Sequence, residues 1–346
     1  LFAGMVDALE KEGIRAFGPS QSAAIIEGSK AYAKDLMKKY NIPTGAYEVF
    51  EDSEKALEYL KGSSYPTVIK ADGLALGKGV LIVQDFNEAS SAVNKIMCEK
   101  VFGPAGNKVI IEEFLTGPEV SVLAFTDGNT IVPMVSSQDH KRAFDNDEGP
   151  NTGGMGTFSP SRVYDEEISL YCMDQIFKPT IDALKKEGRK FKGVLYFGLI
   201  LTQDGPKVLE YNARFGDPET QVVLPRMKND ILEIFDAVID EKLDGIEVKW
   251  DNNACVCVVM ASGGYPKKYV KGYEITGIDE AQKDKNVFVF HAGTKYEDGK
   301  YLTSGGRVIG VTAIGEKLEN AIKKSYEAVG KINFKDSFYR KDIGVK

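Results

Sequence analysis

Apolar and polar positions along the 346-residue chain follow two periods in turn, and the switches between them mark out the elements. Residues 1–12 form an amphipathic helical stretch, and Phe17-Gly-Pro-Ser20 is a turn signal. Ser29 is placed to cap a helix running through Lys30, Ala33 and Met37 to Tyr40, which Ile42-Pro-Thr-Gly45 ends. From 47 to 115 strands alternate with helices: strands at 47–50, 66–70, 79–83 and 108–113, helices at 53–61 and 87–100. That succession predicts a compact α+β unit of its own. Strands at 120–126 and 130–136 follow, turning at Asp127-Gly128-Asn129. Residues 137–160 are rich in Gly, Asp and Asn without apolar periodicity and read as a long loop. A structureless loop of that length in a compact protein is usually functional. A helix at 166–187, strands at 194–202 and 207–211 and a helix at 231–240 come next. After Asp251-Asn252-Asn253 the pattern changes to strands at 254–261, 287–292 and 306–312 with a closing helix at 317–332, read as a separate domain 251–346.

Composition narrows the class. Hydrophobic residues at 43% and charged residues at 27% describe an ordinary globular protein. With 44 basic and 51 acidic side chains the net charge is -7, which argues against a general nucleic-acid or anionic-membrane surface. A polyanion must therefore meet a local cluster of positive charge. Cys98, Cys172, Cys255 and Cys257 show no pairing pattern, as expected of a reducing, cytoplasmic setting. Cys255 and Cys257, one residue apart in an apolar run, read as buried strand residues rather than zinc ligands. No apolar stretch approaches membrane-spanning length. His140 and His291 are the only histidines, too few for a multi-histidine metal site. The chain opens on Leu1 inside a helical pattern, so the natural protein is expected to extend upstream, with 1–19 as the remnant of an N-terminal domain.

Three segments carry candidate chemistry. In Leu209-Glu-Tyr-Asn-Ala-Arg-Phe-Gly-Asp-Pro-Glu-Thr-Gln221 a short strand leads into a turn with two further carboxylates. Strand alternation puts Glu210 and Asn212 on one face, where both side-chain oxygens can reach one hard cation. Arg214, on the same parity, can neutralise an anion bound to that metal. Thr67-Val-Ile-Lys70 ends an apolar strand in a lysine, followed by the glycines Gly73, Gly77 and Gly79 around Lys78. Glycines there let the backbone approach a phosphate closely. The segment is not a P-loop: three residues separate Gly73 from Gly77, and Gly79 stands where Ser or Thr would hold magnesium. The strand at 108–113 ends in Glu112 and Glu113, which suit a nucleotide hinge or, equally, a solvated strand end. His291-Ala-Gly-Thr294 and Ser304-Gly-Gly-Arg307 read as turns without chemistry.

The order of these parts resembles the ATP-grasp superfamily, and within it the glycinamide ribonucleotide synthetase family. The matching motifs are Glu27-Gly-Ser-Lys-Ala-Tyr-Ala-Lys34, Ile69-Lys-Ala-Asp-Gly-Leu-Ala-Leu-Gly-Lys-Gly-Val80, Ser137-Gln-Asp-His-Lys-Arg142, Gly149-Pro-Asn-Thr-Gly-Gly-Met-Gly156 and Arg214-Phe-Gly-Asp-Pro-Glu-Thr-Gln221. The resemblance runs the length of the chain. It implies a mixed α+β ATP-grasp fold, with a central domain at 20–46 and 116–250, a lid subdomain at 47–115 and a C-terminal β-rich domain at 251–346. It also implies ATP with Mg2+ or Mn2+ as cofactors. Lys30, Lys70, Gly73, Gly77, Lys78 and Gly79 would meet the nucleotide's phosphates, Glu112, Glu113, Phe114 and Leu115 its base, and Glu119 its ribose. Glu210 and Asn212 would hold the metal. Asp139, Lys141, Gly153, Gly154, Met155, Arg214, Gly216, Asp217, Pro218 and Glu219 would surround glycine and phosphoribosylamine, with Arg214, Lys70 and Asp217 acting on the transferred phosphate. The implied protein is a cytoplasmic monomer with small-molecule substrates and neither nucleic-acid nor membrane partners. Family members open with a nucleotide-type domain, most of which is absent from these residues. Another ATP-grasp ligase, or a truncated nucleotide-binding protein without catalysis, are the alternative readings.

Overall fold

The computed structural model describes residues 1–73 and 79–345. Gly77 and Lys78 of the expected phosphate lid lie outside the described residues. The chain divides into two compact units. The first comprises Leu1–Pro133, Asp165–Arg214 and Asp230–Glu247, the second Met134–Tyr164, Phe215–Asn229 and Val248–Lys346.

The first unit holds two antiparallel four-stranded sheets. One is ordered Tyr47–Phe50, Val109–Glu113, Thr67–Ala71, Val80–Val83. Its helices Ser53–Lys61 and Phe86–Val93 start at aspartate caps, Asp52 accepting from Lys55 N and Asp85 from Glu88 N, both at 2.9 Å. They bury Ala56, Leu60, Ala89 and Val93 against Ile69, Val83 and Ile111. The other sheet is ordered Gly205–Asn212, Gly193–Thr202, Glu119–Thr126, Ile131–Pro133. The expected strand at 130–136 stops at Pro133, where the missing N–H ends a ladder. In the strand Gly205–Asn212 the register jumps: Gly198 faces Glu210 while Leu199 faces Val208, leaving Leu209 as a bulge. The helix expected at 166–187 is interrupted by a π-turn, Met173–Phe177, between Glu166–Cys172 and Lys178–Lys186. Pro179 explains the interruption, because its ring nitrogen cannot donate to the preceding turn.

The second unit is built on a six-stranded sheet running Val287–His291, Arg307–Gly315, Ala254–Ser262, Gly156–Ser159, Gln138–Asp139, with Ser337–Phe338 also pairing to Ala254–Ser262. Every residue of Ala254–Ser262 is buried, which is why that segment is an unbroken apolar run. Cys255 and Cys257 lie within it, and burial pushes the Cys257 thiol up to about 12, leaving it inert at neutral pH. The helix Leu318–Val329 covers the sheet through Ala321, Ala328 and Val329.

Residues 137–160 correct the loop expectation. Gln138–Asp139 and Gly156–Ser159 join the large sheet, and Arg142–Phe144 pairs with Glu148–Asn151 as a ribbon. Strands of two to four residues are too short to display a period, and Glu148–Asn151 is wholly exposed, so no alternation marks it. The small sheet of Glu274–Ile275, Lys300–Thr303 and Thr294–Glu297 escaped the pattern for the same reason. Among the described residues no helix is long and apolar enough to cross a membrane.

Candidate active site

In the first unit, Lys30 opens the helix Lys30–Lys39, whose N-terminus is fastened to the end of the strand Thr67–Ala71. Ser29 caps the helix by accepting from Tyr32 N at 3.1 Å. Its hydroxyl donates to Asp72 at 3.0 Å, and Ala31 N donates to the same carboxylate at 3.1 Å. An acidic group at a helix N-terminus is also favoured by the backbone dipoles. Lys30 Nζ donates to Gly73 O at 2.8 Å. Burial lowers the Lys30 pKa, Glu210 works against that and Lys70 adds to it. Gly73 has φ +144°, and a Cβ there would lie 2.8 Å from the Ala105 methyl, so the glycine is required for the approach itself.

Next to it lies a buried trio. Glu112 is ion-paired through Oε1 to Lys70 at 2.9 Å and through Oε2 to Lys34 at 2.8 Å. Burial alone would push Glu112 up; Lys70 and Lys34 outweigh it and hold the carboxyl below the usual range. Lys70 Nζ also donates to the bulge carbonyl Leu209 O at 3.3 Å, and Lys34 Nζ to Thr44 Oγ1 at 2.8 Å. Glu112 is thus an enclosed counter-ion rather than a solvated strand end. Beyond it, Glu113 is exposed and accepts from Ala46 N at 3.1 Å, Phe114 and Leu115 are half-buried, and Glu119 is exposed at the start of its strand. A cleft of about 720 Å³ opens by Tyr59, Tyr65, Thr67, Glu113, Phe114 and Thr116. Glu112 also lines it, whereas none of Lys30, Lys70, Glu210 or Asn212 does.

Glu210 and Asn212 are half-exposed on either side of Tyr211, which is buried against Phe197 and bonded to Thr180 Oγ1 at 3.0 Å. The strand end is held by Glu27: Ala213 N donates to its Oε2 at 2.8 Å, and Arg214 Nε lies 3.3 Å from its Oε1. Arg214 Nη2 reaches back to Asn212 Oδ1 at 3.5 Å. Among the described residues no group of three or more His, Cys, Asp or Glu is arranged to hold a metal ion. Two hard oxygens on one strand face nevertheless fit a cation such as Mg2+, which keeps water and phosphate oxygens in most of its coordination positions.

In the second unit, Asp139, Gly153, Gly154, Met155, Asp217, Pro218 and Glu219 come together. Met155 N donates to His140 O and His140 N to Gly156 O, both at 2.8 Å, tying the Gly153–Met155 turn to Asp139's strand. Arg307 joins the turn to the 216–219 loop: Nη1 donates to Gly153 O at 2.7 Å and Asp217 O at 3.0 Å, and Nη2 to Asp217 Oδ2 at 2.9 Å. Gly153 N donates to Tyr265 Oη at 3.2 Å, and Gln221 Nε2 to Asp217 Oδ1 at 2.9 Å. Burial, then the neighbouring Glu219 carboxylate, pushes Asp139 well up, with Lys141 and Arg307 opposing. Burial and then Arg340 push His140 down to about 4, so its ring is neutral at physiological pH.

Gly154 is the tightest point of this cluster. Its φ is +109°, and a Cβ would lie 2.4 Å from Pro218 Cδ and 2.8 Å from Asp139 Oδ1. Gly154→Ala is expected to cost about 1–3 kcal/mol in backbone strain alone and to displace Asp139 from the 216–219 loop. Urea denaturation and substrate titration measure both effects; a variant with unchanged stability and substrate KM would contradict the assignment.

Four residues of the site were missed in the sequence. Lys34 stands four residues after Lys30, the spacing that shares a helix face, and that was its available signal. Glu27 opens a matched motif but had no role there. Arg307 reads as part of a turn, whereas it begins the strand Arg307–Gly315 and its guanidinium donates to Gly153 and Asp217. Tyr265 carried no signal at all.

Two lysines from different elements beside a Glu-x-Asn strand, framed by two antiparallel sheets, define an ATP-grasp enzyme. The profile "Phosphoribosylglycinamide synthetase, ATP-grasp (A) domain" matches residues 28–220, and that of the C domain of the same family matches 255–346. The chain belongs to the phosphoribosylglycinamide synthetase family. It is 50% identical over 343 residues to the phosphoribosylamine–glycine ligase of Caldanaerobacter subterraneus, covering 99% of this chain and 82% of the relative. The crystal structure of the Thermotoga maritima phosphoribosylamine–glycine ligase superposes with a TM-score of 0.84 at 39% identity, over 94% of this chain and 81% of that one. The Campylobacter jejuni biotin carboxylase shares the fold alone: TM-score 0.74 at 17% identity, over 98% and 74%. The chain is accordingly an ATP-dependent ligase of purine biosynthesis.

Proposed function

We propose that this ligase joins the amine of 5-phosphoribosylamine to the carboxyl of glycine, with ATP converted to ADP and phosphate. A carboxylate is a poor acyl donor, so a glycine carboxylate oxygen first attacks the γ-phosphorus and ADP leaves, giving glycyl phosphate. The amine nitrogen then attacks the acyl carbon, phosphate leaves, and the nitrogen gives up one proton. Little covalent work falls to the protein; positioning and charge neutralisation supply the rate. Lys30 and Lys70 offset charge on the terminal phosphates, the backbone groups of Glu112 to Leu115 meet the base edge, and the Glu119 carboxylate accepts from the ribose hydroxyls. Mg2+ or Mn2+ held by Glu210 and Asn212 would supply further neutralisation. Arg214 is assigned to the transferred phosphoryl group. Asp139, Lys141, Gly153 to Met155 and Gly216 to Glu219 are assigned to glycine and phosphoribosylamine, Asp217 being held in place by Arg307. Four free cysteines support a reducing, cytoplasmic setting.

The observation that carries this reading is that Lys30 lies within electrostatic reach of Lys70 and Glu210 while Lys70 bonds Leu209 O on the strand bearing Glu210 and Asn212, in a chain of this family. Phosphate release from ATP is expected to require both glycine and phosphoribosylamine. Release with neither required would reject the ligation, and nucleotide binding without turnover would indicate a sensor.

A further inference from the structure

Charge counting around Lys70 leads to a role for a residue with no assigned function. Glu112 and Lys70 alone would form a neutral pair, and the lysine's charge would be spent on its neighbour. Lys34, 3% exposed, supplies a second cation on the other carboxylate oxygen, 2.8 Å away. The trio then carries one net positive charge. Lys34 is in turn fixed by Thr44 Oγ1 at 2.8 Å, and that hydroxyl donates to Val208 O at 2.7 Å. Lys70 closes the circuit on Leu209 O at 3.3 Å. A ring of polar contacts thus runs Val208–Thr44–Lys34–Glu112–Lys70–Leu209. It ties the strands of Lys70 and Glu112 to the bulged strand that continues into Glu210 and Asn212. A buried lysine on a buried carboxylate is costly to assemble, and an aliphatic side chain would serve packing as well. The cost is understandable when the product is a lysine whose charge remains available.

We propose that Lys34 is a positioning residue that neutralises Glu112 so that the charge of Lys70 is directed at the nucleotide's phosphates. The proposal rests on the assignment of Lys70 to those phosphates. Lys34 touches no reacting atom in this scheme and acts through Glu112. It favours the anionic part of the nucleotide over the base.

The test titrates the full-length protein with MgATP and with adenosine, which lacks phosphate, by isothermal calorimetry or ligand-induced thermal shift. Removing one unit of charge from a partly buried site weakens an anion about tenfold or more. Lys34→Met is expected to weaken MgATP by that factor and leave adenosine within about twofold. Lys34→Arg keeps the charge and retains MgATP affinity. Lys34→Met combined with Glu112→Gln restores the net charge of one and recovers most of the MgATP affinity, which a purely structural role for Lys34 would not produce. Circular dichroism identifies any variant that fails to fold, and the double variant and Lys34→Arg then decide the question. Equal loss of MgATP and adenosine, or no recovery in the double variant, overturns the proposal. Lys70→Met is the control on the underlying assignment. If it lowers MgATP affinity while Lys34→Met does not, the role of Lys34 is wrong and the phosphate assignment stands; if Lys70→Met has no effect, both fall.

Discussion

Glu112→Ala is expected to destabilise the first unit by about 3–5 kcal/mol, because it leaves two buried lysines facing each other without a counter-ion. Lys34 and Lys70 are ion-paired to that one carboxylate at 2.8 and 2.9 Å, and all three side chains are at most 8% exposed. Truncation therefore removes two ion pairs and adds repulsion between the cations that remain. Linkage gives this effect a direction in pH. Burial already lowers the Lys34 pKa and Glu112 opposes that; without Glu112 it falls further below its unfolded value near 10.4, so the unfolded chain binds more protons. Stability of the variant then rises with pH as Lys34 discharges in the folded state, and its deficit against the parent narrows between pH 7 and 10. A cavity of the same size lined by apolar groups would give a deficit independent of pH. Urea denaturation followed by far-UV circular dichroism at several pH values separates the two cases. A loss under 1 kcal/mol, or one that does not change with pH, would show that the trio is not the electrostatic unit its geometry describes.

The sequence made some of this legible because the relevant period is local. Glu210 and Asn212 share a face by strand alternation, and their half-exposed positions around buried Tyr211 follow that rule. Lys70 at a strand end and Ser29 before a helix are likewise readable from immediate neighbours. The bulge at Leu209 was not, since it depends on how Gly193–Thr202 pairs with the strand, and pairing partners are set by the fold. Lys34 was missed because a lysine in an amphipathic helix ordinarily reads as a solvated face; its burial is decided by Glu112, far away in the chain. Arg307 shows the same limit. It follows two glycines, which announce a turn, yet its function in the structure is to fasten Gly153 and Asp217, segments that come much earlier. Residues 137–160 stand out in the sequence by an excess of turn-formers, but their strands are too short to show alternation.

Glu210→Ala is expected to have the largest effect on turnover, lowering kcat by about 10²–10³-fold, the range seen when a charge-stabilising group is removed from an acyl-transfer site. Two functions are lost together. The proposed metal keeps only Asn212 as a protein ligand, and an amide oxygen without a charge is a weak holder of a hard dication. Lys30 loses the carboxylate that opposes its desolvation, so its pKa drops further below the ordinary lysine value. The second effect predicts a signature beyond the rate: Lys30 deprotonates at lower pH, and the alkaline limb of the kcat profile moves down. Glu210→Asp, which keeps the charge on a shorter arm, is expected to lose less and to recover at raised Mg2+ or Mn2+. Folding should change little, because Glu210 is half-exposed and its strand is anchored through Tyr211, Ala213 and Glu27. Steady-state phosphate release at saturating glycine and phosphoribosylamine, scanned over pH and metal concentration, measures each of these. A Glu210→Ala enzyme with kcat within about threefold of the parent and an unmoved alkaline limb would remove the metal and Lys30 from the same site, and with them the account of how ATP is activated here.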